Sequence, residues 1–168
     1  MKQAEKTACF TGHRDIKLEH LGTVRNNLFS IVERLISLGY LYFGAGGARG
    51  FDTVAAETVV ELRKKYPSIK LILVLPFKNQ YEHEIGWKES DKSKYHSLLT
   101  QANKTVYLQE EYSKGIYYKR DRHLVDFSSV CVCYQYKDSG GTAYTTKYAQ
   151  EQGLKVINVL FKDHDFLW

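Results

Sequence analysis

Cysteine, proline and long apolar runs are all scarce in this chain of 168 residues. The cysteines are Cys9, Cys131 and Cys133. An odd count with one i, i+2 pair is a poor disulfide framework, and no CxxC pair or nearby histidine completes a metal-ligand set. All three fall in predicted strands. They are expected to be reduced core residues of a cytoplasmic protein, with no metal or cofactor. The two prolines, Pro67 and Pro76, both stand where a predicted element ends. No run of about 18 apolar residues occurs, which excludes a membrane-spanning helix. The opening Met1-Lys2-Gln3-Ala4-Glu5-Lys6 has no apolar stretch of the signal-peptide kind. Internal repeats and low-complexity linkers are missing too, so residues 1–168 are expected to form a single domain.

What is present suits a globular α/β protein. Hydrophobic residues make up 43% and charged residues 26%, enough apolar surface for a core that needs no staples. The net charge is +5, which favours anionic ligands and is compatible with nucleic acid. Short apolar runs alternate with segments of helical period. Strands are expected at 7–11, 40–43, 69–75, 105–108, 129–135 and 156–160. Helices are expected at about 21–38, 51–66, 90–102, 116–127 and 142–152. This rhythm predicts a Rossmann-like three-layer sandwich: a mostly parallel sheet of about six strands with helices on both faces. Crossovers of one hand then place every strand-to-helix loop on one sheet edge, and ligands of such sheets bind there. Four loops should meet at that edge: 12–15, 44–52, 76–79 and 137–142.

The chemistry is concentrated in those loops. Ser139-Gly140-Gly141-Thr142 follows an apolar strand and opens a helix. Paired glycines let a ligand approach the backbone, and the helix start offers free N–H groups to phosphate. Thr142 and Thr145 can add hydroxyls. A plain capped turn is the simpler alternative. In the first loop, Thr11-Gly12-His13-Arg14 offers a forked guanidinium for phosphate or carboxylate and an imidazole that titrates near neutrality. The simpler roles are a surface ion pair for Arg14 and a backbone-bonded turn for His13. In the second loop, Gly46 and Gly47 make room for a ligand. Asp52 and Glu57 follow on the next helix, as a helix cap or as carboxylates for ribose hydroxyls or base catalysis. Lys119-Arg120-Asp121-Arg122-His123 is a solvated helix face or a phosphate clamp. Tyr112, Tyr117 and Tyr118 near it can stack bases or fill an interface. The apolar tail Phe166-Leu167-Trp168 can pack on its own domain or on a second subunit of a homo-oligomer.

Four motifs occur together and in order: Cys9-Phe10-Thr11-Gly12-His13-Arg14; Gly46-Gly47-Ala48-Arg49-Gly50-Phe51-Asp52 with Ala55-Ala56-Glu57; Lys119-Arg120-Asp121-Arg122; and Ser139-Gly140-Gly141-Thr142. In this the chain resembles the SLOG superfamily over about residues 7–160, and especially its small stand-alone members of the YpsA and YoqJ kind. The superfamily includes the DNA-processing protein A family and the LOG phosphoribohydrolases. The resemblance implies a Rossmann-like domain that binds a nucleotide or nucleotide-derived small molecule. In several SLOG domains that ligand resembles an ADP-ribose-type signal of antiphage defence. By the motifs, Gly140, Gly141 and Thr142 would hold phosphate, Gly46 and Gly47 would line the pocket, and Arg14 and Arg120 would be charge partners. The chain departs from the LOG pattern after the glycine turn, where Ala143-Tyr144-Thr145 stands and a glutamate is expected. Asp121 also replaces an expected asparagine. Three functions therefore stay open: a nucleotide-binding module, a nucleotide N-glycosidase using Asp52 or Glu57, and a DNA-binding protein.

Overall fold

The computed structural model describes residues 2–161, so the tail Phe166-Leu167-Trp168 lies outside the described residues. Six strands form one sheet: β1 (Thr7–Gly12), β2 (Tyr42–Ala45), β3 (Lys70–Leu75), β4 (Lys104–Tyr107), β5 (Val130–Tyr134) and β6 (Lys155–Asn158). They lie in the order β4-β3-β2-β1-β5-β6, and every pair is parallel. Five helices alternate with them: α1 (Leu21–Ser37), α2 (Phe51–Lys65), α3 (Glu89–Gln101), α4 (Ile116–Asp126) and α5 (Gly141–Glu151). No helix among the described residues is long and apolar enough to cross a membrane.

The two-residue period of the strands sorts their side chains into two cores. Ala8 and Phe10 of β1, Leu71, Leu73 and Leu75 of β3, and Val130 and Val132 of β5 meet α1, α2 and α3 on one face. Cys9, Val74 and Cys131 point the other way, towards Leu124 and Val125 of α4 and Ala149 of α5. The cysteines are buried and unpaired, as their positions in strands predict. Burial raises the Cys133 thiol to about 12, so it does not act as a nucleophile near neutrality.

Helix α1 shows how closely sequence and structure agree. Val24, Leu28, Ile31, Val32 and Leu35 are buried at helical spacing. The helix closes with the amide of Tyr40 donating to Leu35 and that of Gly39 to Ile36, the paired bonds of a Schellman end. That closure also explains why β2 starts at Tyr42 and not at 40 as expected. The amide of Tyr40 is taken by the helix, and pairing with β3 runs on through Gly44 and Ala45.

Strand order reverses direction between β1 and β5. Chain leaving β1 passes to α1 on one face, and chain leaving β5 passes to α5 on the other, so a crevice opens between the two loops. β3 lies two strands from β1, roughly 10 Å away. The loop expected to converge at 76–79 is therefore too far to line that crevice.

Candidate functional site

A cleft of about 430 Å³ occupies the switch point. Its floor is the end of β1, from Phe10 to Asp15. The turn from Tyr136 to Thr142 and the start of α4, with Tyr117, Tyr118, Arg120 and Asp121, line the cleft further. Ala48, Arg49 and Asp52 come from the loop after β2 and the first turn of α2.

The deepest part is ionic. Arg120 is 4% exposed. Its Nη1 donates to the carbonyl of Gly46, and its Nε to Asp121 Oδ1 at 2.7 Å. Asp52 is equally enclosed and accepts the Ala48 amide at 3.2 Å. Burial raises the Asp52 carboxyl to about 6 from an ordinary 3.8; Arg120 opposes the shift and Asp121 adds to it. Folded Asp52 therefore keeps a proton that the unfolded chain gives up. Its contribution to stability is greatest below pH 4, declines as pH rises towards 6, and levels off above that. About two pH units at ~1.4 kcal/mol each make this a loss of about 3 kcal/mol. Asp52→Asn should therefore gain stability relative to the parent chain as pH rises from 4 to 7, by up to ~3 kcal/mol in urea titrations.

The glycine turn presents a different surface. Gly140 adopts φ 90°, a conformation that favours glycine. A Cβ built on Gly140 or Gly141 would meet nothing within 4 Å, so the turn borders open space. No side chain caps α5, and its first helical bond runs from the Tyr144 amide to the Gly140 carbonyl. The amides of the first turn are left without helical partners and carry the positive end of the helix dipole.

The predicted site residues divide into three groups. Thr11, Gly12, His13, Arg14, Asp52, Arg120, Ser139, Gly140, Gly141 and Thr142 come together in the cleft. Several are already engaged. His13 Nε2 accepts the Tyr136 amide at 3.2 Å, which ties β1 to the β5 turn. Burial and Lys137 lower its pKa, so the ring is a neutral acceptor. Arg14 pairs with the enclosed Glu84 at 2.9 Å and lies over the Tyr117 ring.

A second group is turned to structural use. Gly46 does not open space for a ligand, because the Arg120 guanidinium occupies the position of its missing side chain. Gly47 sits against Leu75 and Gln80 in the core. The Thr145 hydroxyl donates to Gly141 O at 2.8 Å, so it is spent inside the helix. Glu57 forms the third group alone. It lies on the outer face of α2, 3.9 Å from Lys94. Asp52 and Glu57 are five residues apart, which turns them about 140° from each other around a helix.

Sequence reasoning missed Tyr136 and Glu84 as parts of this region, and quoted Asp121 in a motif without giving it a role at the site. Tyr136 packs edge-on against His13 with centroids 4.3 Å apart. Glu84 also accepts the Trp87 indole N–H at 2.6 Å. Nothing in the aperiodic stretch 77–97 marked Glu84, whereas the 76–79 loop expected at the cleft does not reach it.

With the geometry established, comparison with known proteins places the chain. A family model described as YpsA, the YspA SLOG family, matches residues 8–161. The chain belongs to this SLOG family. It is 29% identical over 141 residues to the SPbeta prophage-derived protein YoqJ of Bacillus subtilis, covering 76% of this chain and 81% of YoqJ. Among solved structures it is similar to DNA processing protein A from Streptococcus pneumoniae, with a TM-score of 0.63 and 16% identity. That match covers 92% of this chain but 50% of the pneumococcal protein. DNA processing protein A from Helicobacter pylori, described with a single-stranded DNA binding mode, matches at a TM-score of 0.60 and 16% identity, over 89% of this chain and 63% of its own. At these identities the two structures establish the SLOG chain's fold and no more.

Proposed function

We propose that this SLOG protein binds a nucleotide or nucleotide-derived ligand of the ADP-ribose type in the switch-point cleft, as a sensing or sequestering module. The observation that carries the proposal is the uncapped start of α5 beside open space at Gly140 and Gly141, in the same cleft as the buried Arg120. Phosphate suits the first position, because free amides and the helix dipole favour an anion there. Ser139 and Lys137 stand alongside. Asp52 and Asp121 supply acceptors for ribose hydroxyls, and the exposed ring of Tyr118 offers a stacking face for a base. Isothermal titration against AMP, ADP and ADP-ribose tests it. One-to-one binding of at least one of them is expected, weakened in Asp52→Asn and unchanged in Glu57→Gln, whose side chain lies outside the cleft. Folded protein that binds none of the three would overturn the proposal.

A second reading rests on the Asp52 carboxyl. At about 6 it is suited to proton transfer near neutrality, and a carboxylate near C1′ would stabilise a ribosyl cation. This predicts slow release of free base from nucleoside monophosphates, lost in Asp52→Asn. No base release at high protein concentration would remove it. DNA binding has only the fold behind it and predicts affinity that falls steeply with salt.

A further inference from the structure

A second hollow, of about 460 Å³, lies away from the switch point on the α4 face of the sheet. All-parallel sheets are ordinarily covered on both faces. Here α4 lies over β1 and β3, and the outer part of that face, towards the edge strand β4, forms the floor of a depression. Ile72 and Val74 of β3 and Val106 of β4 line the floor, and Leu124 and Phe127 of α4 form a wall. Gly44 of β2 contributes by its size. Its missing Cβ would stand 3.0 Å from Leu124 Cδ2, so α4 seats directly on the strand there. Phe127 is 60% exposed, with its ring 4.6 Å from that of His123.

One charge borders this apolar surface. Lys104 lies on the lining and makes no ion pair among the described residues. The other titratable groups nearby are His123 and Asp126. Burial lowers the His123 pKa, with Asp126 opposing and Lys104 adding to the effect. Asp126 itself accepts the Tyr148 hydroxyl at 2.6 Å, on the α5 side. The hollow thus pairs a hydrophobic floor with a cation that has no counter-ion among the described residues.

We propose that the hollow between α4 and strands β2–β4 is a second ligand site, for a small molecule with an apolar body and a single anionic head, such as a medium-chain or aromatic carboxylate. The body would cover Ile72, Val74 and Val106, and the head would meet Lys104. Its volume falls within the range of small-molecule sites, and their usual composition is the same: mostly apolar walls with few polar groups. Nothing in this site is shared with the nucleotide cleft, so the two proposals stand or fall separately.

Methyl and backbone-amide NMR of the full chain titrated with octanoate, and with octanol as the uncharged control, tests the assignment. Saturable shifts at Ile72, Val74 and Val106 are expected, with the Gly140 and Gly141 amides unmoved. Octanol should bind at least tenfold more weakly, and Lys104→Gln should weaken octanoate by a similar factor. Val106→Trp, which fills the floor from the edge strand, should abolish the shifts; Ile72→Phe serves if that variant does not fold. The proposal is overturned if octanoate shifts none of these methyls or shifts the cleft amides instead. It is equally overturned if octanol binds as well as octanoate, or if the ligand-free chain dimerises and buries Ile72 and Val106 against a second copy.

Discussion

Replacing Arg120 by methionine is expected to lower the melting temperature by about 10 °C, the largest stability effect among the substitutions considered. Arg120 is enclosed, and it satisfies the Gly46 carbonyl and the Asp121 carboxylate at once. Methionine approximates its length and none of its charge. Asp121 and Asp52 would then share a buried site without their nearest cation, with only the weaker influence of Arg14 on Asp52 remaining. Removing one member of a buried ion pair costs roughly 3–5 kcal/mol, because the charge left behind stays desolvated. In a chain of this size each kcal/mol shifts the midpoint by about 2–4 °C. The loss should depend on pH in a defined direction. Without Arg120 the Asp52 carboxyl rises further above its ordinary 3.8, so the deficit should grow as pH rises from 5 to 8 and shrink in acid. Arg120→Lys should recover part of the loss, since an ammonium restores charge but not the fork that reaches both acceptors. Calorimetry at pH 5 and pH 8 checks both statements. A fall below ~2 °C at pH 8 would mean that the buried ion cluster contributes little to holding the cleft.

Gly141→Asp is expected to abolish nucleotide binding, at least a hundredfold in Kd, while leaving the melting temperature unchanged or slightly raised. A Cβ at this position meets nothing within 4 Å, and Gly141 does not have a positive φ. An aspartate in the first turn of α5 is also favourable to the helix, by roughly 0.3–1 kcal/mol. The same carboxylate would occupy the anion position and repel a phosphate. Loss of binding therefore cannot be put down to misfolding. A hundredfold change corresponds to about 2.7 kcal/mol, within what a charge-assisted phosphate contact supplies. The pair of measurements is calorimetric titration with ADP-ribose and a thermal melt. Undiminished affinity in the variant would move the phosphate away from α5.

Much of the fold was legible because the strands are short apolar runs separated by helices with clear periods. The parallel sheet of six strands follows from that alternation, whereas the strand order, with its reversal between β1 and β5, comes from the structure. The two ends of the cleft were legible for a similar reason: Gly12 closes the first strand, and the Gly140-Gly141 pair sits in the turn between β5 and α5, where it opens the helix. What sequence could not supply was the direction of individual side chains. Gly46 and Gly47 looked like space for a ligand, yet one is covered by Arg120 and the other by Leu75. Glu57 shared a helix with Asp52 and a motif with it, but not a face. The residue pattern of Lys119-Arg120-Asp121-Arg122 left a solvated face and a phosphate clamp both open, and only the family motif singled out Arg120, because nothing in the run itself marks which residue turns inward. Only packing makes that choice: Arg120 is buried, while Lys119 stays exposed. Glu84 belongs to a segment without period, and its contact with Arg14 spans 70 positions.

The central claim is that segments distant in sequence form one anion-binding cleft at the β1/β5 switch point. Backbone amide NMR of the 15N-labelled chain during titration with ADP-ribose tests this most directly. The account predicts saturable shifts at Gly140, Gly141 and Thr142, together with Gly12 and Tyr118 on the other walls. Shifts confined to the outer face of α2 around Glu57, or no shifts at any cleft amide with folded protein, would contradict it.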